Sequence, residues 1–352
     1  MKPIQIFQNF GIIPLLAVFL AFAPTLAQMG VLTEFHINLL TYGMVFGLAG
    51  LAFNILLGYG GLLSFGHAAY FAVGAYTVAT LYRYLRIENL EVLIAAAILT
   101  SLVVSAFFGL VATRFTRIFF AIMSLALTQI VWATTLKIYW FTGGSDGIRV
   151  PHMALLGIEF QKTMARPEYL SSVFYYYTLG VFIAAVLLVW LILHSPFGRT
   201  LQATRDNEVR AEFIGIPVRR YRWIAFTISG TFTGLAGALF AVLNGHVTPE
   251  ISNWIFSGNI VFLTLLGGFR TFDGPLIGAI LFIFIRQYAM GYTIYWELVL
   301  GAILITMVLI FSRGIMGTLY QYLGIAPGMT SLKTPSIAIK ANIPTRSLKK
   351  GG

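Results

Sequence analysis

The chain has no cysteine, which excludes disulfides, thiolate metal sites and cysteine nucleophiles. Charge is scarce too: only 10% of its 352 residues are Asp, Glu, Lys or Arg, where a soluble domain carries roughly 25%. No lysine follows a glycine, so the Gly-Lys-Ser/Thr end of a phosphate-binding loop is absent and ATP has to be handled by another chain. Five histidines are present, but His36, His152, His194 and His246 form no HExxH or comparable ligand spacing. With no nucleophile motif either, a membrane enzyme is disfavoured. Strand-like alternation is also missing, and in lipid only helices or closed barrels satisfy every backbone group.

What the chain has in abundance is apolar sequence, 58% of all residues. Ten apolar runs are spaced for spanning helices, at about 11–29, 33–57, 62–82, 92–112, 118–139, 173–193, 224–243, 257–269, 275–290 and 294–311, the eighth and ninth being short. The reading is an all-α fold, a polytopic transmembrane helical bundle of about ten spans. The first run follows a single lysine, and its one Ala-x-Ala runs into Pro24, which favours an uncleaved helix over a signal peptide.

The formal charge of +11 would suggest nucleic acid on a soluble protein. Counted by loop, it reads as orientation. With the segment 198–223 placed in the cytoplasm, sixteen basic residues face four acidic ones on that side, against seven and eight elsewhere. Both termini are then cytoplasmic and nucleic-acid binding falls away. The division that follows is a transmembrane permease domain over 1–315, with 198–223 as its cytoplasmic loop, and a largely disordered cytoplasmic tail over 316–352, which carries Pro327, Pro335 and Pro344 among scattered lysines.

The island 198–223, GRTLQATRDNEVRAEFIGIPVRRYRW, holds six basic and three acidic residues. Asn207 is a good N-cap, Val209, Phe213 and Ile216 recur at helical spacing, Gly215 suits a left-handed C-cap, and Pro217 forbids continuation. A helix of about two turns is expected. One reading is an amphipathic loop lying on the lipid interface. The interleaved acids Asp206, Glu208 and Glu212 argue for docking into a partner's groove, because anionic lipid would repel them.

Four stretches, GGLLSFGHAAYFAVGAYT at 60–77, TGGSDGI at 142–148, GRTLQATRDNEVRAEFIGIPVRRYRWIAFTISGTFTGLAGALFA at 198–241 and LLGGFRTFDGPLIGA at 265–279, resemble the permease subunits of ABC importers for branched-chain amino acids. The resemblance covers about 35–315. It implies a second permease subunit, a heterodimer with this one, two ATP-binding subunits carrying ATP and magnesium, an external solute-binding protein and a multi-pass place in a bacterial or archaeal cytoplasmic membrane. No cofactor is implied for this chain. It also implies that Asn207, Glu208, Arg210, Ala211, Glu212 and Gly215 form a coupling helix that seats in the ATPase. The general importer signature puts a glycine six residues after its Glu, whereas here Glu208 precedes Gly215 by seven and Arg210 fills a usual small-residue position.

Within 58–76 the small residues Gly61, Ser64, Ala68, Ala72 and Ala75 would line one face of a continuous helix, a packing stripe. The alternative is that Gly60, Gly61 and Ser64 interrupt the helix, so that Gly60, Gly61, Ser64, Gly66, His67 and Gly74 border a translocation path. A lone His67 is either satisfied by a carbonyl or exposed to that path. Thr142, Gly143, Gly144, Asp146 and Gly147 suit a tight turn, in the longest external loop, where the resemblance places the outer mouth of the path. Gly268, Arg270, Asp273 and Gly274 suit an inner turn with an Arg270–Asp273 ion pair and a second ATPase contact. Glu34, Glu297 and Arg286 sit near the outer ends of their runs, and the arginine is expected to snorkel to the interface. No buried carboxylate pair is forced, which weighs against an ion-coupled secondary transporter, the reading from a different class. Urea or another small polar solute is the alternative cargo of an ABC permease.

Overall fold

The computed structural model describes residues 12–323 apart from 156, 159, 161–163 and 312, and a helix occupies each of the ten apolar runs. Besides the short helices Tyr139–Thr142 and Arg166–Ser171, the α-helices in chain order are α1 (Ile13–Gln28), α2 (Glu34–Asn54), α3 (His67–Leu85), α4 (Leu90–Ala112), α5 (Arg117–Lys137), α6 (Val173–His194), α7 (Pro196–Asp206), α8 (Glu208–Phe213), α9 (Val218–Asn244), α10 (Trp254–Gly267), α11 (Gly274–Tyr292), α12 (Trp296–Ile310) and α13 (Gly314–Tyr322). A two-residue antiparallel pair, β1 (Ile148–Arg149) with β2 (His246–Val247), joins two loops. The chain is an all-α polytopic bundle. Among the described residues six stretches are long and apolar enough to cross a membrane, including Glu34–Tyr59, Arg166–His194 and Val218–Asn244, while α1, α10 and the 296–307 part of α12 are shorter apolar helices.

Burial separates the centre of the bundle from its rim. The most apolar windows of α2 with its continuation and of α9 are 94% and 78% buried, against 33% for α4 and 28% for α5, whose Leu99, Val103, Phe107 and Ile122 are exposed. Apolar side chains turned outward on a rim helix are what lipid requires.

Small residues set the closest approaches. A Cβ on Gly74 of α3 would overlap the Gly234 carbonyl oxygen of α9, and one on Gly237 would overlap the carbonyl of Phe71. Gly230 and Gly234 of α9 face Ser105 and Ser101 of α4, and Ser105 Oγ donates to the Thr227 carbonyl at 3.1 Å. This is small-xxx-small packing, where dispersion and short polar contacts replace the hydrophobic effect.

Two expectations change here. The run 62–82 is not one helix: α2 continues through a π-turn, Ile55–Tyr59, the chain leaves helical geometry, and α3 begins only at His67. Ala68, Ala72 and Ala75 are on α3 and fully buried, but Gly61 and Ser64 precede it, so the five-member stripe does not exist. The boundary at 315 falls inside α13, whose Met316 and Tyr320 are buried against the bundle. The remainder of the expected tail, from 324, lies outside the described residues.

Candidate functional site

The first part of the island, from Gly198 to Asp206, lies in a helix the residue pattern did not disclose. Pro196 starts α7, Leu201 and Thr204 turn inward, and Phe197 stacks on Tyr221 with ring centroids 5.6 Å apart. Arg205 donates to the Gly58 carbonyl and pairs with Asp206 at 2.9 Å, which ties α7 to the end of the π-turn. Asn207 then caps α8, its Oδ1 accepting from the Arg210 N–H at 2.9 Å. The C-terminus closes as a Schellman motif: the Gly215 N–H donates to the Glu212 carbonyl at 2.9 Å, the Ile216 N–H donates to the Ala211 carbonyl at 3.0 Å, and Gly215 has φ +87°.

The six residues assigned to this helix divide by role. Asn207 and Gly215 build the caps, and Ala211 is buried. Glu208 Oε1 accepts from Arg222 Nη1 at 2.6 Å, and Arg222 is 6% exposed, so this pair clamps α8 onto α9. The hydrogen bond from Arg222 holds the Glu208 carboxyl below its ordinary value, against partial desolvation. Arg210 and Glu212 point to solvent beside Val209, Phe213 and Ile214, and Phe213 is 86% exposed. An apolar knob between two opposite charges stands clear of the bundle.

The break at 60–66 is held by side-chain hydroxyls. Ser124 of α5 accepts from the Phe65 N–H at 3.0 Å, Thr128 donates to the Phe65 carbonyl at 3.2 Å, Ser64 Oγ accepts from the Gly66 N–H at 3.1 Å, and Ser257 of α10 accepts from the Ala68 N–H at 2.9 Å. Non-helical backbone inside a bundle needs such partners. His67, 1% exposed, shares a hydrogen bond of 2.8 Å with Ser229 Oγ, which donates to the Ala52 carbonyl. It therefore knits α3, α9 and α2 together. Gly60, Ser64, Gly66 and Gly74 are buried and Gly61 is exposed, with φ +67° and with Arg205 where a Cβ would stand.

At the end opposite the island, TGGSDGI forms the expected tight turn. Gly143, Gly144 and Gly147 all have positive φ, Thr142 Oγ1 donates to the Thr135 carbonyl at 2.6 Å, and Tyr139 donates to Asp146 Oδ2 at 3.0 Å. His246 Nε2 meets the Asp146 carbonyl at 2.9 Å, and β1 pairs with β2, so the turn locks the end of α5 to the loop after α9. A residue that sequence reasoning passed over, Arg166, donates to the carbonyls of Val242 and Leu243 at the last turn of α9, a cationic C-terminal cap.

The turn between α10 and α11 differs from expectation. Among the described residues Arg270 and Asp273 form no ion pair: Arg270 is exposed over the Phe269 ring, while buried Asp273 accepts from Tyr320 Oη and, at 3.2 Å, from the Ile12 N–H. Asp273 is thus an anchor for α13 and the start of α1, closed to an outside partner. Gly268, with φ +113°, and Gly274 allow the backbone to pack against Gly314 and Gly267.

The far end also carries a cavity of about 800 Å³ between α2, α9, α10, α11 and α12. Phe46, Phe240 and Phe256 cluster at its floor with ring centroids 5.6 to 6.5 Å apart, Phe240 edge to face with each of the other two. Its polar wall includes Asn38, Tyr42, Asn244, Asn259 and Arg286, and the Tyr42 hydroxyl donates to Asn244 Oδ1 at 3.1 Å. Arg286, expected to snorkel, lies in this wall with its guanidinium 5.3 Å from the Trp296 ring centre. None of the six residues proposed for the path from sequence lines this cavity.

A many-helix apolar bundle with an amphipathic cavity at one end and a capped, exposed helix at the other fits a membrane transport protein. A family model described as the branched-chain amino acid transport system / permease component matches residues 35–308, and the chain belongs to that family. It is 29% identical over 297 residues to the high-affinity branched-chain amino acid transport system permease protein LivM of Escherichia coli K12, covering 80% of this chain and 69% of that protein. The probable LivM of Methanocaldococcus jannaschii is 26% identical, with 72% and 77% covered, and the LivH permease of Salmonella typhimurium 24%, with 80% and 94% covered. No solved structure matches this chain. The chain is a permease subunit of an amino acid importer.

Proposed function

We propose that this chain forms one half of the translocation path for branched-chain or other small neutral amino acids, beside a second and related permease, in a bacterial or archaeal cytoplasmic membrane. The relatives named LivM and LivH support the cargo and the pairing. The helices of all ten apolar runs, short ones included, cross the membrane in this reading, the island and both termini face the cytoplasm, and the cavity opens outward toward a solute-binding protein that delivers the cargo. The permease domain comprises 1–315 and the rest of α13, which packs Met316 and Tyr320 against the bundle, with the tail beyond it.

The observation that carries the reading is the geometry of α8. A helix of under two turns, fixed at both ends and clamped to α9 by Glu208 and Arg222, presents Val209, Phe213 and Ile214 between Arg210 and Glu212. Such a rigid apolar knob with charges at its rim suits the groove of an ATP-hydrolysing subunit, on which ATP and magnesium are bound. Nucleotide-driven movement of that subunit shifts α8, and through α7 and Arg205 it reaches the π-turn and the break at 60–66, whose glycines we assign to the moving part of the path. Arg270, exposed in the turn between α10 and α11, is a second contact point for the ATPase.

The test is affinity purification of the tagged chain from membranes, followed by reconstitution of what comes with it. The expected result is an ATPase and a second permease, and ATP-dependent uptake of radiolabelled leucine. Uptake without any ATPase, driven by an ion gradient, would refute it.

A further inference from the structure

The cavity at the far end has Arg286 in its wall, beside the Trp296 ring and within electrostatic reach of Glu297 and Tyr42. Among the described residues no carboxylate pairs with Arg286, and its Nε, closed to solvent, has no hydrogen-bond partner. Asn38 Oδ1 in the same wall is also buried and unpartnered. Both of these atoms are enclosed, so a solute in the cavity meets the rest of the Arg286 side chain, which lines it.

We propose that this cavity is an amino acid binding site in the outer vestibule, in which Arg286 takes the α-carboxylate. The inference rests on the importer reading above, because it needs the cavity to face the delivering protein. The guanidinium suits a planar carboxylate, and the Trp296 ring beside it keeps the fork oriented without neutralising it. Phe46, Phe240 and Phe256 supply an apolar floor for a branched side chain, and the carboxylates of Glu250 and Glu297 in the wall suit an ammonium. A volume of about 800 Å³ is large for one amino acid, as a vestibule through which solute passes would be. The two carboxylates in the wall argue against an anionic lipid headgroup as occupant.

The absence of cysteine provides a clean test. Asn259, in the cavity wall, is replaced by cysteine in the assembled complex, without the external binding protein, in lipid nanodiscs, and its rate of maleimide labelling is measured. Leucine and 4-methylpentanoate, which keep the carboxylate, are expected to slow labelling; 3-methylbutylamine, which lacks it, is not. Arg286→Gln should weaken leucine protection about ten- to a hundredfold, the loss of a charge-assisted hydrogen-bonded pair, and Arg286→Lys less. Equal protection in Arg286→Gln, no protection by leucine, or labelling that responds only to the phosphatidylglycerol content of the disc would overturn the proposal. Leucine uptake is scored separately, so a complex that transports leucine without protecting Asn259→Cys sinks the site alone. A complex that transports no leucine sinks the importer reading, while the protection data still decide the site.

Discussion

Replacing Phe213 by alanine separates the chain's own fold from its coupling to a partner. At 86% exposure the ring contributes almost nothing to the bundle, so the substitution should move stability by no more than about 0.5 kcal/mol. If an ATPase groove buries that ring, burial is worth about 2 kcal/mol, which weakens association about 30-fold. The caps and the Glu208–Arg222 clamp keep α8 in place in the variant, since neither involves the Phe213 side chain. The assay is the affinity of nanodisc-embedded permease for purified ATPase subunits by interferometry, with thermal unfolding and ATP-driven uptake in parallel. Leu99→Ala, equally exposed in kind but on the lipid rim of α4, should leave all three unchanged. Unaltered ATPase affinity and uptake in Phe213→Ala would refute the assignment of α8.

Two further outcomes follow from the packing. The Glu208 carboxyl has a depressed folded-state value, so the clamp stabilises the chain above the ordinary carboxylate range and its contribution disappears as pH falls through that depressed value. Because Glu208 is over a third exposed, the effect is below about 1 kcal/mol; thermal midpoints of wild type and Glu208→Gln should differ near neutral pH and converge on acidification, and a gap that persists in acid would contradict the pairing. Gly74→Ala forces a methyl group into the Gly234 carbonyl and should cost at least about 1 to 3 kcal/mol, read as lost membrane accumulation and a lowered thermal midpoint; normal accumulation would mean that α3 and α9 are not in such close contact.

Much of this architecture was legible in the sequence because its signals are local. Asn207, Gly215, Ile216 and Pro217 mark the two ends of α8 by their own backbone preferences, and the structure places the caps on those residues. The ten helices follow from apolar runs, since a backbone in lipid can satisfy itself only by coiling. Three features were not legible. The break at 60–66 depends on Ser124, Thr128 and Ser257, which sit on two other helices, and a stripe of small residues looks the same whether it packs or interrupts. Glu208 reads as a free acid until Arg222, one loop and one turn away, is folded against it. Asp273 reads as a turn residue paired with Arg270 until α13 returns Tyr320 to it.

The sequence by itself determined the fold class, the positions of the helices, the family and the capped helix at the island, all from hydropathy and short-range backbone chemistry. Only the tertiary structure decided which polar groups are spent inside the bundle and which remain open. It closed His67, Glu208 and Asp273 into internal hydrogen bonds and left Phe213 in solvent and Arg286 in the wall of a cavity. The physical reason is that a polar side chain's role is set by the partner within about 3 Å of it, and in a bundle that partner comes from another helix, far along the chain.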